Sequence, residues 1–408
     1  MTDNEGSVKR LGVFYFIVGL FWSAQYIYSP YFSPHLVTLG FSGSLIGTIV
    51  GVYGFSQMVL RIPISIGGRY TGNHKPIIVA GLACVVIACV LPLLGDNWIL
   101  FFMSRLLAGV ASATWVSYSA YILESAGKLA NQRMSYLLVA QHTGTCLSQV
   151  IATVVFGYTG IVALFTIGAI GAAVAIILIF FVPIKKIEFS ESERETIKSG
   201  VWSDFGVAIR NKQVWFCALL LTLGNYMIFS SIYAFTGVYA QEELNVGDFR
   251  IGVIGIIFQA STVVVGTLIG RAAKRNLPER AMIVFGFLAF SCYLLLMLVV
   301  KSPNAFLLLQ VLGGVSYPFA SNLLFSNAGR ELLPRQQIIG MGIFQSVYSL
   351  GMTFGPAISG IVFDATGGNY TITFVHLAVV GVIAAIWAFL KYKNSWEESE
   401  RVKNGLLK

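Results

Sequence analysis

A chain of 408 residues that is 56% hydrophobic and only 11% charged is not an ordinary soluble protein, because soluble domains carry roughly 25% charged residues. The mean hydropathy of +0.76 places most of the chain against lipid or other apolar helices. A net charge of +9 would suit a nucleic-acid binder, but the basic residues follow membrane topology, so no nucleic-acid partner is expected and the lipid bilayer is.

Apolar runs of about 20 residues, enough to cross roughly 30 Å of hydrocarbon, recur along the chain. Twelve spans are predicted: 12–33, 43–66, 76–95, 98–122, 134–158, 160–182, 213–240, 250–270, 281–300, 304–327, 337–363 and 371–391. The polar start through Lys9 and Arg10 runs directly into a span too long for a signal h-region, so no cleaved leader is expected. With the N-terminus inside, the outer loops hold only Arg250 and Lys301, and the inner segments hold most other lysines and arginines. That asymmetry predicts a multi-pass protein of the cytoplasmic membrane with both termini in the cytoplasm. The five cysteines, Cys84, Cys89, Cys146, Cys217 and Cys292, all fall in apolar runs without metal-ligand spacing. They read as small buried hydrophobes, so no metal or cofactor is expected.

The longest polar segment, 183–212, reads as a solvated linker with a short interfacial helix near 201–209, and it divides the spans six and six. The halves repeat. Gln57 aligns with Gln259 and Gly68-Arg69 with Gly270-Arg271 at an offset of 202; Gly81 with Gly286, Arg105 with Gln310 and Gly109 with Gly314 at 205; Gly144 with Gly351 and Gly160 with Gly367 at 207. Two six-span units in the same orientation are a parallel repeat about an axis along the membrane normal. The expected fold is an all-α membrane protein with two pseudo-symmetric six-helix bundles. Its parts are an N-terminal bundle at 1–182, the linker at 183–212, a C-terminal bundle at 213–391 and a tail at 392–408.

The loop after the second span runs from Ser65 through Gly67-Gly68-Arg69 to Gly72 and Lys75, and the equivalent loop carries Gly270-Arg271 and Lys274-Arg275. The fourth span has Arg105 with Gly109 four residues on, and the eleventh has Gly351, Gly355-Pro356 and Gly360. In register on twelve spans, these motifs resemble the bacterial, twelve-span type of the major facilitator superfamily. The resemblance covers nearly the whole chain and implies a secondary transporter, not an enzyme, working as a monomer by rocker-switch alternating access. Two departures stand out: the loop motif's aspartate is Gly68 here, and Gly270 in the second loop. Arg69, Lys75, Arg271, Lys274 and Glu124 are the expected gating residues. Gly109, Gly144, Gly351, Gly355, Pro356 and Gly360 are the expected packing and hinge residues, the eleventh span's glycines reading as one helix face.

Arg105 reads as the one charge well inside a span, where arginine costs a few kcal/mol to insert and normally faces a bundle interior or wet cavity. In this family the solute sits near the midplane between the halves. That makes Arg105, Gln25, Tyr26, Gln57, Tyr118, Gln141, His142, Asn225, Tyr226, Gln259, Tyr317 and Gln345 the candidate binding residues, each with the alternative of a purely interhelical bond. No aspartate or glutamate lies deep within a span. Exporters of cationic drugs in this family resemble one another in having a membrane carboxylate, so the cavity should favour anionic or neutral-polar organic solutes. Protons are the expected coupling species, with His142 as the best-placed carrier. Drug or metabolite efflux by the same fold stays open, as does a lipid flippase or scramblase. A P-loop is absent from the sequence, so ATP is not the expected energy source.

Overall fold

The computed structural model describes residues 2–126, 130–182, 184, 191–272 and 278–392; the side chains of 2–10, 69, 123–126, 130–132, 191–199, 270–272 and 334–335 lie outside that description. Among the described residues there is no strand. Eleven helical runs among the described residues are long and apolar enough to cross a membrane. They are span 1 (Leu11–Thr38), span 2 (Gly43–Gly68), span 3 (Lys75–Leu94), span 4 (Trp98–Ile122), a run Arg133–Phe181, span 7 (Lys212–Glu242), span 8 (Asp248–Ile269), span 9 (Glu279–Val299), span 10 (Pro303–Asn327), span 11 (Gln336–Ala365) and span 12 (Tyr370–Lys391). The run Arg133–Phe181 holds two spans. Gly160 breaks it with φ +69°, a left-handed conformation that glycine adopts without a steric cost. Spans 5 (133–159) and 6 (161–181) meet there. Gly367, its partner in the repeat, has φ +68° at the end of span 11.

The repeat is visible in what the paired glycines touch. A methyl group at Gly109 would lie 2.3 Å from the Tyr53 carbonyl oxygen, and one at Gly314 would lie 2.3 Å from that of Phe258, so spans 4 and 10 press on spans 2 and 8 in the same way. Gly144 meets the Gly19 carbonyl of span 1, and Gly351 meets the Thr222 carbonyl of span 7. Gly81 sits against Thr114 of span 4, and Gly286 against Ser316 and Phe319 of span 10. Helices in lipid associate through such close contacts because no hydrophobic gain separates helix from lipid tail.

Two seams join the halves. Span 2 lies along the whole of span 11: Gly47, Gly51 and Gly54 face Pro356, Thr353 and Met352, and Gly360 faces Gly43. Gly351 and Gly355 instead face span 7 (Thr222 and Tyr226), so the span 11 glycines serve two interfaces and not the single face expected. The second seam places Gly252 and Gly255 of span 8 against Thr153 and Gln149 of span 5. At the face opposite the termini the halves are sealed. The Asp364 carboxylate accepts from the Gly43 and Ser44 amides at 2.8 Å, capping the start of span 2. Tyr31 donates to the Asp248 carbonyl at 3.1 Å, and Ser33 to the Tyr233 carbonyl at 2.8 Å.

Three observations correct the sequence reading. The linker helix is longer than expected, spanning Glu191–Arg210, and is not simply solvated: Val201 and Ala208 are fully buried, and Ala208 packs towards Gly340 of span 11. Spans 1, 4 and 7 are interrupted midway. Span 1 breaks at Ile27-Tyr28 before Pro30, span 4 breaks at Thr114, and span 7 has a π-helical stretch Ser231–Phe235; such stretches recur where a helix serves a function. Finally, Arg105 is not the only deep charge. The helix of span 2 continues to Thr71, which leaves Arg61 well inside it and 4% exposed, where a predicted end at 66 had placed it near the interface.

Candidate functional site

Three aromatic side chains surround Arg105, two from beside the break in span 1 and one from span 2. Its guanidinium carbon lies 4.6 Å from the ring centre of Tyr53 and 5.5 Å from that of Phe32, and its Nη1 donates to the Tyr28 hydroxyl at 3.4 Å. Cation–π contacts of this kind contribute roughly 0.5–2 kcal/mol each, more when desolvated. Arg105 is 8% exposed, its Nε has no hydrogen-bond partner, and among the described residues no carboxylate pairs with it.

From Tyr53 a polar chain runs both ways. Its hydroxyl shares a hydrogen bond with Ser112 at 2.7 Å, and Ser112 donates to Gln25 Oε1 at 2.9 Å, leaving the buried Gln25 Nε2 unpartnered. Gln57 Nε2 donates to the Tyr53 carbonyl at 3.2 Å, and its Oε1 accepts from Arg61 Nη2. Arg61 Nη1 crosses the seam to the Tyr348 hydroxyl at 2.6 Å and the Gln345 carbonyl at 3.3 Å. Asn225 continues the chain in the second half, donating to the Tyr348 carbonyl at 3.4 Å and accepting from Tyr317 at 2.9 Å. Aromatic rings line the same region. Trp115, Trp22, Tyr26, Tyr233, Phe229 and Tyr53 form a continuous series with neighbouring ring centres 4.7–6.1 Å apart, crossing between the halves twice.

The expected residues therefore divide. Arg105, Gln25, Tyr26, Gln57, Asn225, Tyr317 and Gln345 come together. Tyr226 turns to span 12, where its hydroxyl meets His376 Nε2 at 3.3 Å. Tyr118 is fully buried among Phe14, Phe21 and Trp115, its hydroxyl unpartnered. Gln141, His142 and Gln259 are half-buried and make no side-chain hydrogen bond among the described residues. Lys75 stays within the first half, donating to the Val182 carbonyl at 3.1 Å and lying over the Phe180 ring. The side chains of Arg69, Arg271 and Glu124, and all of Lys274, lie outside the described residues. The missing aspartate has a local reason: His74 packs over Gly68, where a methyl would already lie 3.2 Å from the imidazole. Tyr53, Ser112 and Arg61 were missed. The available signal was the four-residue spacing of Tyr53, Gln57 and Arg61 on one face of span 2.

A family model described as the Major Facilitator Superfamily matches residues 11–331 and 239–406. The chain belongs to the major facilitator superfamily. It is 24% identical over 352 residues to multidrug resistance protein 2 of Bacillus subtilis (strain 168), covering 82% of this chain and 84% of that protein. It is 26% identical over 353 residues to the inner membrane transport protein YajR of Escherichia coli (strain K12), covering 85% of this chain and 74% of that one. The crystal structure of the nucleoside transporter NupG superposes with a TM-score of 0.72 at 15% identity, over 94% of this chain and 99% of that one. The superfamily assignment makes this a multi-pass membrane transporter.

Proposed function

We propose that the chain is a monomeric secondary carrier for a small organic solute, anionic or neutral-polar, moved across the cytoplasmic membrane by alternating access. The observation that carries the reading is Arg105, a buried guanidinium with an unused Nε and no carboxylate partner among the described residues. A site of positive charge walled by aromatic rings attracts a carboxylate, a phosphate or a polar aromatic group. The excess of lysine and arginine in the loops on the termini's side supports a cytoplasmic location for both termini. The seal by Asp364, Tyr31 and Ser33 then corresponds to a state closed to the outside. His142, half-buried on span 5, is the residue we assign to proton coupling.

The test is a ligand-stability screen of anionic, neutral and cationic solutes at two pH values. A ligand bound only by the folded state raises its stability by RT ln(1 + [L]/Kd). Anions should stabilise the wild type, and Arg105→Ala should weaken that response about tenfold or more. His142→Gln should remove its pH dependence. A second reading, efflux of drug-like compounds, is favoured by the ring series from Trp115 to Tyr53 and by the name of the Bacillus relative. Lipophilic cations stabilising the wild type and Arg105→Ala equally would establish it over the first.

A further inference from the structure

Arg61 is the charge that the motifs of the chain do not account for. It is 4% exposed, and its partners among the described residues are all neutral: the Gln57 side chain, the Gln345 carbonyl and the Tyr348 hydroxyl, with the Tyr348 ring 5.1 Å from its guanidinium carbon. Its Nε has no partner, and neither does the Oε1 of Gln345 beside it. A guanidinium carries five N–H donors in a fork that matches the two oxygens of a carboxylate or phosphate. A buried arginine held only by neutral groups is thus an open site for an anion.

The closest approach of the two helices lies elsewhere. The seam between spans 2 and 11 already closes through Gly47, Gly51 and Gly54. At the offset of 202 that pairs Gln57 with Gln259, the position equivalent to Arg61 is Val263. The matching seam of spans 8 and 5 closes with Gly252 and Gly255 and no charge at that place. The second repeat therefore forms its own, shorter seam with a valine in place of the arginine. Arg61 also belongs to the site: it stands two four-residue steps from Tyr53, about 12 Å along the helix axis, and the Tyr53 ring lies under Arg105.

We propose that Arg61 is a second solute-binding residue, specific for a carboxylate or phosphate, and that the bound oxyanion takes Arg61 from the Tyr348 hydroxyl and the Gln345 carbonyl. Recognition of the solute and release of span 2 from span 11 are then one event. The proposal rests on the reading of the chain as an anion carrier.

The experiment measures stabilisation of the purified full chain by benzoate, phenylacetate, succinate and phenyl phosphate, with benzamide as the neutral control. Arg61→Gln should raise the apparent Kd of the stabilising anion about tenfold or more while leaving benzamide unchanged. Arg61→Lys, which keeps the charge without the fork, should recover part of the loss. Tyr348→Phe should tighten anion binding about threefold or more, because it removes the competing acceptor. That opposite sign is what a purely structural role would not produce, and with Arg61→Lys it carries the test if Arg61→Gln does not fold. An unchanged anion Kd in Arg61→Gln, or weaker binding in Tyr348→Phe, overturns the proposal. If Arg105→Ala still loses the response in that case, the anion-carrier reading stands alone. If no anion stabilises the wild type, both fall. The response to phenyl phosphate against the carboxylates separates the two oxyanion classes.

Discussion

Arg105 and Gln310 occupy equivalent places in the two repeats, and they differ in how their polar atoms are satisfied. Gln310 is fully buried and satisfied: its Oε1 accepts from Tyr293 at 2.8 Å and its Nε2 donates to the Phe306 carbonyl at 3.1 Å. Arg105 is 8% exposed and keeps an unpartnered Nε among aromatic faces. A buried polar group left unpaired costs about 1–3 kcal/mol, which a solute or water that pairs with it would recover. Tyr118 is the exception that can be checked. Its hydroxyl is unpartnered, yet the ring is enclosed by Phe14, Phe21 and Trp115. Tyr118→Phe should raise thermal stability by about 1 kcal/mol and leave the anion response unchanged. Lost anion binding in that variant would instead place the hydroxyl in the solute site.

Among the helices, glycine decides which surfaces meet. A methyl at Gly47 would sit 2.1 Å from the Pro356 carbonyl oxygen, whereas nothing lies within 4 Å of one at Gly157. Gly47→Ala should therefore destabilise the chain by about 1–3 kcal/mol through overpacking. Gly157→Ala, on a lipid-exposed stretch of span 5, should hold or raise the melting temperature in the same assay. These contacts also explain how much was legible beforehand. Span length and hydropathy mark the helices because lipid allows few alternatives to a helix. The offsets of Gly109 and Gly144 mark the repeat because each pair keeps one backbone contact, while Gly81 and Gly286 each meet the span that follows, one at a side chain and the other at a carbonyl. The interruptions of spans 4 and 7 carry no proline and were not legible, whereas that of span 1 falls just before Pro30, a signal the span reading passed over. Arg61 was hidden by a span end placed five residues beyond it, and its partners Gln345 and Tyr348 lie 284 and 287 residues away. Tyr226 and Tyr118 read as site residues because polarity in a span shows depth but not direction.

At the scale of the whole molecule, the two seams are unequal. Span 2 follows span 11 from the Asp364 cap past Arg61 to Ser65, which donates to the Ile338 carbonyl at 3.3 Å. Alternating access requires that this long seam part near the termini while the sealed face stays closed, and then the reverse. The geometry offers a direct lock. A Cβ at Gly342 would lie 3.3 Å from that of Ser65, close to the separation of about 3.5–4.5 Å spanned by a disulfide. The decisive measurement is solute counterflow in liposomes by a Ser65→Cys/Gly342→Cys variant, with the five native cysteines replaced. The rocking account predicts that oxidation forms the crosslink and stops exchange, and that reduction restores it. Full-rate exchange by the crosslinked protein would mean that spans 2 and 11 never need to part at that face, which would contradict alternating access between the two halves.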